Sequence, residues 1–116
     1  MDELLERLVA NVGVDRAVAE KAVGIILAFL LKEGPTDKVQ ALIAQMPGAE
    51  AAVQASGNGS GMGGIMGVGT KLMAAGLGMS QMQSVTREII AYSREKAGED
   101  AVGEIVGSIP GLGQFV

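Results

Sequence analysis

Moved along itself by 63 positions, the chain meets its own hydrophobic pattern. Ile26 falls on Ile89, Leu27 on Ile90, Ala28 on Ala91 and Phe29 on Tyr92, with no gap. Further on, Val39 falls on Val102, Leu42 on Ile105, Ile43 on Val106 and Met46 on Ile109, and MPGAEAAV (46–53) faces IPGLGQFV (109–116). Within each copy the apolar residues from Val39 and from Val102 stand at i, i+3, i+4 and i+7, which puts four side chains on one face of an α-helix. Two stretches of one chain are therefore asked to fold by the same helical rule.

The surrounding residues extend the rule. Pro47-Gly48 and Pro110-Gly111 read as helix stops, because proline disfavours a helical residue before it and glycine turns easily. Asp15 reads as the N-cap of a helix from Arg16 to about Glu33, apolar over a wide arc. Ser80 with Gln83 reads as a capping box for a helix to about Lys96. Ahead of these stand MDELLERLVANVG, with Leu4, Leu5, Leu8, Val9 and Val12 on one face, and the less regular GTKLMAAGLG. Aligning Gly13-Val14-Asp15 with Gly78-Met79-Ser80 needs a shift of 65, so a small indel between the copies is expected. The expectation is one all-α domain over 1–116 with about six helices, built from two tandem, pseudo-twofold-related units of approximately 1–53 and 64–116 joined by a glycine-rich link, 56–64. Two copies are too few for a solenoid.

Totals narrow the function more than they name it. A chain of 116 residues with 48% hydrophobic content supports a single core. Nine basic against thirteen acidic residues give a net charge of -4 with no basic block, which argues against nucleic acid. Neither Cys nor His occurs, so thiolate nucleophiles, imidazole bases, disulfides and the usual zinc ligands are all missing. The acidic, amphipathic start MDELLERL is unlike an export signal, and a cytoplasmic location is expected.

The stretch SGNGSGMGGIMGVG (56–69) invites three readings. Gly59, Gly61 and Gly64 satisfy GxGxxG, but no strand is expected before them and no βαβ unit surrounds them. GIMGVGTK (64–71) resembles a phosphate loop with Thr70 and Lys71 exchanged, an order that fails the chemistry. Met62 to Met79 is apolar enough for a marginal span, yet its glycines and Lys71 oppose insertion; membrane-surface contact is allowed but not favoured. Five of the seven methionines cluster at 62, 66, 73, 79 and 82. Thioethers fill irregular cores and also suit adaptable surfaces, so Met62, Ile65, Met66, Met73, Leu77, Met79 and Met82 form a candidate interaction surface. Phe29 and Tyr92, paired by the repeat, form a candidate apolar pocket, although core packing is the plainer use of both.

No catalytic, cofactor-binding or metal-ligating residue is expected. Glu33, Asp37, Glu99 and Asp100 sit where short helices begin and serve as caps or solvated charge, with Thr36 or Asp37 capping the first. Arg87 and Arg94 share a helical face with Glu88 and Glu95 nearby, an ordinary mixed-charge surface. The sequence GVDRAVAEKAVGIILAFL, with MPGAE and GSGMGGIMG, resembles small bacterial helical proteins of the VcgC/VcgE type. That resemblance implies a helical fold and no assigned activity or site residues. The expected role is a non-enzymatic interaction protein that self-associates through its Met/Gly-rich region; the alternative is binding of a lipid or small apolar ligand.

Overall fold

A computed structural model describes residues 2–46, 48–55 and 64–109. Those residues form seven helices and no strand: α1 (Asp2–Val12), α2 (Arg16–Glu33), α3 (Thr36–Ala44), α4 (Ala49–Ala55), α5 (Gly64–Ala74), α6 (Met79–Ala97) and α7 (Glu99–Ser108). The all-α expectation holds, with one helix more than the six expected: the stretch after Pro47 is helical as α4. Residues 56–63, most of the expected glycine-rich link, lie outside the described residues, as do Pro47 and Pro110-Gly111.

Helix α2 is the centre. Ala19, Ala22, Val23, Gly24, Ile25, Ile26, Leu27, Phe29 and Leu30 are all buried along it, and α1, α3, α4, α5 and α6 all pack on it. Its wide apolar arc is what a helix surrounded by partners requires. The closest partner is α4, which buries Ala49, Ala52 and Val53; small side chains let two helices approach. At the other end Gly34 donates its N–H to Leu30 O at 2.8 Å. A Cβ on Gly34 would lie 2.8 Å from that same oxygen, so the stop requires glycine, and Pro35 keeps the helix from resuming in register.

Two caps differ from expectation. Asp15 occupies the N-cap of α2 but makes no side-chain cap bond. Helix α3 begins at Thr36 itself, with Pro35 at the cap, and the Thr36 hydroxyl donates back to Leu31 O at 3.4 Å. Proline explains the shift: its φ of -69° suits the approach to a helix and it offers no N–H to leave unpaired.

Several positions 63 apart share their burial. Ile26 and Ile89, Leu27 and Ile90, Leu30 and Ser93, Val39 and Val102, Leu42 and Ile105, and Met46 and Ile109 are buried in both places. Ser93 fills the site opposite a leucine only because its hydroxyl donates to Ile89 O at 2.7 Å within α6. Helix α1 lies on both α6 and α2, α5 lies mainly on α2, α2 meets α6, and α3 meets α7. Lys38 of α3 and Glu104 of α7 form an ion pair across the last of these contacts. The polar side of α6 has a structural reason. Residues 63 after buried Gly24 and half-buried Leu31 are Arg87 and Arg94, both exposed, and among the described residues no helix covers α6 as α4 covers α2.

Candidate ligand pocket

Two walls of the pocket, α5 and α6, are joined by one turn. Gly76 has φ +106°, a conformation that costs an L side chain strain. Its N–H donates to Met73 O at 3.0 Å and that of Leu77 to Leu72 O at 3.1 Å, the paired bonds of a Schellman stop. Leu77 then folds inward, 4% exposed, as does Leu72, 2% exposed. The chain leaves this turn through Gly78, whose N–H is accepted by the Gln81 side chain at 3.0 Å. Gly78, not Ser80, is therefore the cap of α6, and Gln81, not Gln83, makes the returning bond. The linkers Gly13-Val14-Asp15 and Gly76-Leu77-Gly78 are 63 apart, each with a positive-φ glycine, a buried apolar residue and the N-cap of the next helix. No indel is needed at this point, contrary to the shift of 65.

Helices α2, α5 and α6 diverge beside the turn and leave a cavity of about 340 Å³. Ile26 and Phe29 of α2 form one wall; Val68, Gly69 and Leu72 of α5 form another. The third is α6, with Met79, Ser80, Met82, Gln83 and Thr86. Burial grades the site from Ile26, Leu72 and Thr86, which are buried, to Met79, Ser80 and Gln83, which are exposed. All polar lining groups stand on α6. Thr86 Oγ1 is already committed, donating to Met82 O at 2.9 Å. None of these lining residues carries a charge, and the volume lies within the range of small-molecule sites.

The sequence-designated residues divide unevenly. Phe29, Met79 and Met82 come together in the pocket. Tyr92 is not among its lining residues; it is buried on α6 with the Arg7 guanidinium and the Lys96 ammonium over its ring, 5.5 and 5.4 Å from the centroid. Arg7 is held there by a two-pronged bond from Nη1 and Nη2 to the Glu95 carboxylate, 2.6 and 3.0 Å. That bond holds the Glu95 carboxyl below the usual carboxylate range and pushes the Arg7 guanidinium above its ordinary value. Met73 and Met79 are exposed, at 60% and 77%. Leu77 is buried, in the turn beyond the end of α5 at Ala74, and so is no part of an exposed surface. Met62 lies outside the described residues, as do the side chains of Ile65 and Met66.

Val68 and Gly69 sit in GIMGVGTK, which forms most of α5 and is no phosphate loop. Ser80, Gln83 and Thr86 were not singled out as lining residues by the sequence. Thr86 carried a signal, a polar residue on the apolar stripe beside Val85 and Ile89; Ser80 and Gln83 carried none. Glu33, Asp37, Glu99 and Asp100 are all exposed, and no group of three or more potential ligand residues among the described residues is placed to hold a metal ion. Nor is any described helix long and apolar enough to cross a membrane. Comparison with known proteins adds no relative: no family model matches the chain, and neither the curated proteins nor the solved structures give a match.

Proposed function

We propose that this protein binds a small apolar ligand between α2, α5 and α6 and has no catalytic chemistry of its own. The observation that carries this reading is the cavity itself, about 340 Å³ of space walled by Ile26, Phe29, Val68 and Leu72 and open to solvent beside Met79. Apolar surface entering such a site gains about 25 cal/mol per Å² withdrawn from water. The flexible thioethers of Met79 and Met82 can adjust to different shapes. A chain without His or Cys has few groups for acid–base or covalent chemistry, and the lining adds no carboxylate or amine.

The test uses Gly69. A Cβ there meets no atom within 4 Å, so Gly69→Leu narrows the cavity without a backbone clash. An environment-sensitive apolar dye should brighten with the wild-type protein and lose that signal with Gly69→Leu, while circular dichroism stays unchanged. Equal dye binding by both proteins, or none by either, removes the reading.

The underlying architecture is, in this reading, a doubled three-helix unit, α1–α3 and α5–α7, whose first helices are exchanged between long helices. Support comes from the burial shared by several positions at 63-residue spacing, the matching linkers and the contacts of α1 with α6 and of α5 with α2, although α1 also packs on α2. Self-association through Met73 and Met79 is a second reading, favoured by their exposure.

A further inference from the structure

We infer that the ligand is a medium-length, single-headed amphiphile: an alkyl or acyl chain of about ten carbons with one terminal oxygen-bearing group, held tail inward. This deepens the pocket reading and rests on it. Two features of the walls carry the inference. First, hydrogen-bonding side chains are confined to one wall and, except for Thr86, to its exposed end, where Ser80 offers a hydroxyl and Gln83 a carboxamide. The buried end presents Ile26, Phe29 and Leu72, and the Thr86 hydroxyl proton is spent on Met82 O. A ligand polar at one end matches that gradient. One polar at both ends would bury a head beside Ile26, Phe29 and Leu72 with only the Thr86 oxygen as an acceptor and no donor, and polar groups left partly without partners there are costly.

Second, the volume limits length. At about 30 Å³ per water-sized group, the cavity holds roughly a dozen ligand atoms besides hydrogen. Affinity should therefore climb while added methylenes enter the cavity and stop climbing once it is full. The climb is about fourfold per methylene from the transfer energy of a buried CH₂.

The measurement is displacement of the apolar dye from the full chain at pH 8 by 1-hexanol, 1-octanol, 1-decanol, 1-dodecanol and 1-hexadecanol, with decane, decanoate and 1,10-decanediol as companions. Expected are a rise of about fourfold per methylene to near ten carbons, a plateau beyond, and decanol binding at least tenfold more tightly than the diol. Decanol should also exceed decane, and the margin should shrink in Ser80→Ala/Gln83→Leu. Decanol against decanoate then tells an alcohol-type head from an acid-type head, and either alone exceeding decane supports the inference. Affinity still rising steeply from twelve to sixteen carbons, decane matching both headed ligands, or the diol matching decanol would overturn it while leaving an apolar pocket in place. Dye binding abolished by Gly69→Leu but displaced by none of these compounds would also overturn it, whereas absence of dye binding would remove the parent reading.

Discussion

Three glycines within one short protein do three different jobs, and substitution separates them. Gly69 lies inside α5 with open space where a Cβ would be, so Gly69→Ala should raise stability by about 0.5–1 kcal/mol through helix propensity. Gly76 has φ +106°, and Gly76→Ala should cost about 1–2 kcal/mol although its Cβ is equally unobstructed. Gly34→Ala meets Leu30 O at 2.8 Å and should cost about 1–3 kcal/mol, as overpacked sites do. Chemical denaturation of the three variants checks all of these, and the predicted order is Gly69→Ala above wild type and the other two below. Nothing local in the letters separates Gly69 from Gly76. The first became a helix residue because α5 extends past it, and the second became a stop because Leu77 found a buried place beside Leu72.

At the level of elements, the Arg7–Glu95 bond ties α1 to α6 and fixes Arg7 over the Tyr92 ring. Because the bond from Arg7 depresses the Glu95 carboxyl, the stability it contributes is complete above the usual carboxylate range. It is lost as pH falls through the depressed folded value. The wild type should therefore melt higher than Glu95→Gln at pH 7, and the two curves should converge as pH falls through the depressed value of Glu95, below the usual carboxylate range; thermal melts across pH 2–7 measure the gap. A constant gap would mean that Glu95 acts by packing alone. For the short helices, Leu42 of α3 and Ile105 of α7 are each 1% exposed. Leu42→Ala and Ile105→Ala should each lower stability by about 2–5 kcal/mol, the usual result of emptying a core site. Both residues were legible in the sequence, from the i, i+3, i+4, i+7 spacing that no strand can bury on one side.

For the molecule as a whole, the packing of α1 on both long helices, α2 and α6, has a consequence for truncation. Leu4, Leu5 and Leu8 of α1 are buried in the common core, each worth about 1.5–3 kcal/mol, against a total stability of about 5–15 kcal/mol for a domain. A chain lacking residues 1–12 should lose cooperative unfolding altogether, seen as a sloping thermal transition by circular dichroism. A sharp melt in that truncated chain would show that α1 is a peripheral addition. The exposed Met73 and Met79 set a second test, on assembly. If they join two copies, Met73→Glu should reduce the mass measured by light scattering, while leaving dye binding intact because Met73 is not among the pocket's lining residues. An unchanged monomeric mass for both proteins would dispose of the self-association reading.

Helix content and the identity of the core stripes were readable from the order of residues alone, because period and spacing are properties of the chain before it folds. The ends of helices were less readable. Ser80 and Gln83 looked as good a cap as Gly78 and Gln81, and the choice depended on where Leu77 could be buried. The pocket was beyond reach of the linear pattern. Phe29 and Tyr92 are equivalent in spacing, yet one faces a cavity and the other lies beneath Arg7 and Lys96, since which partner helix covers each ring is settled only when distant segments meet. Periodicity fixes the face a side chain presents; the third dimension decides what that face touches.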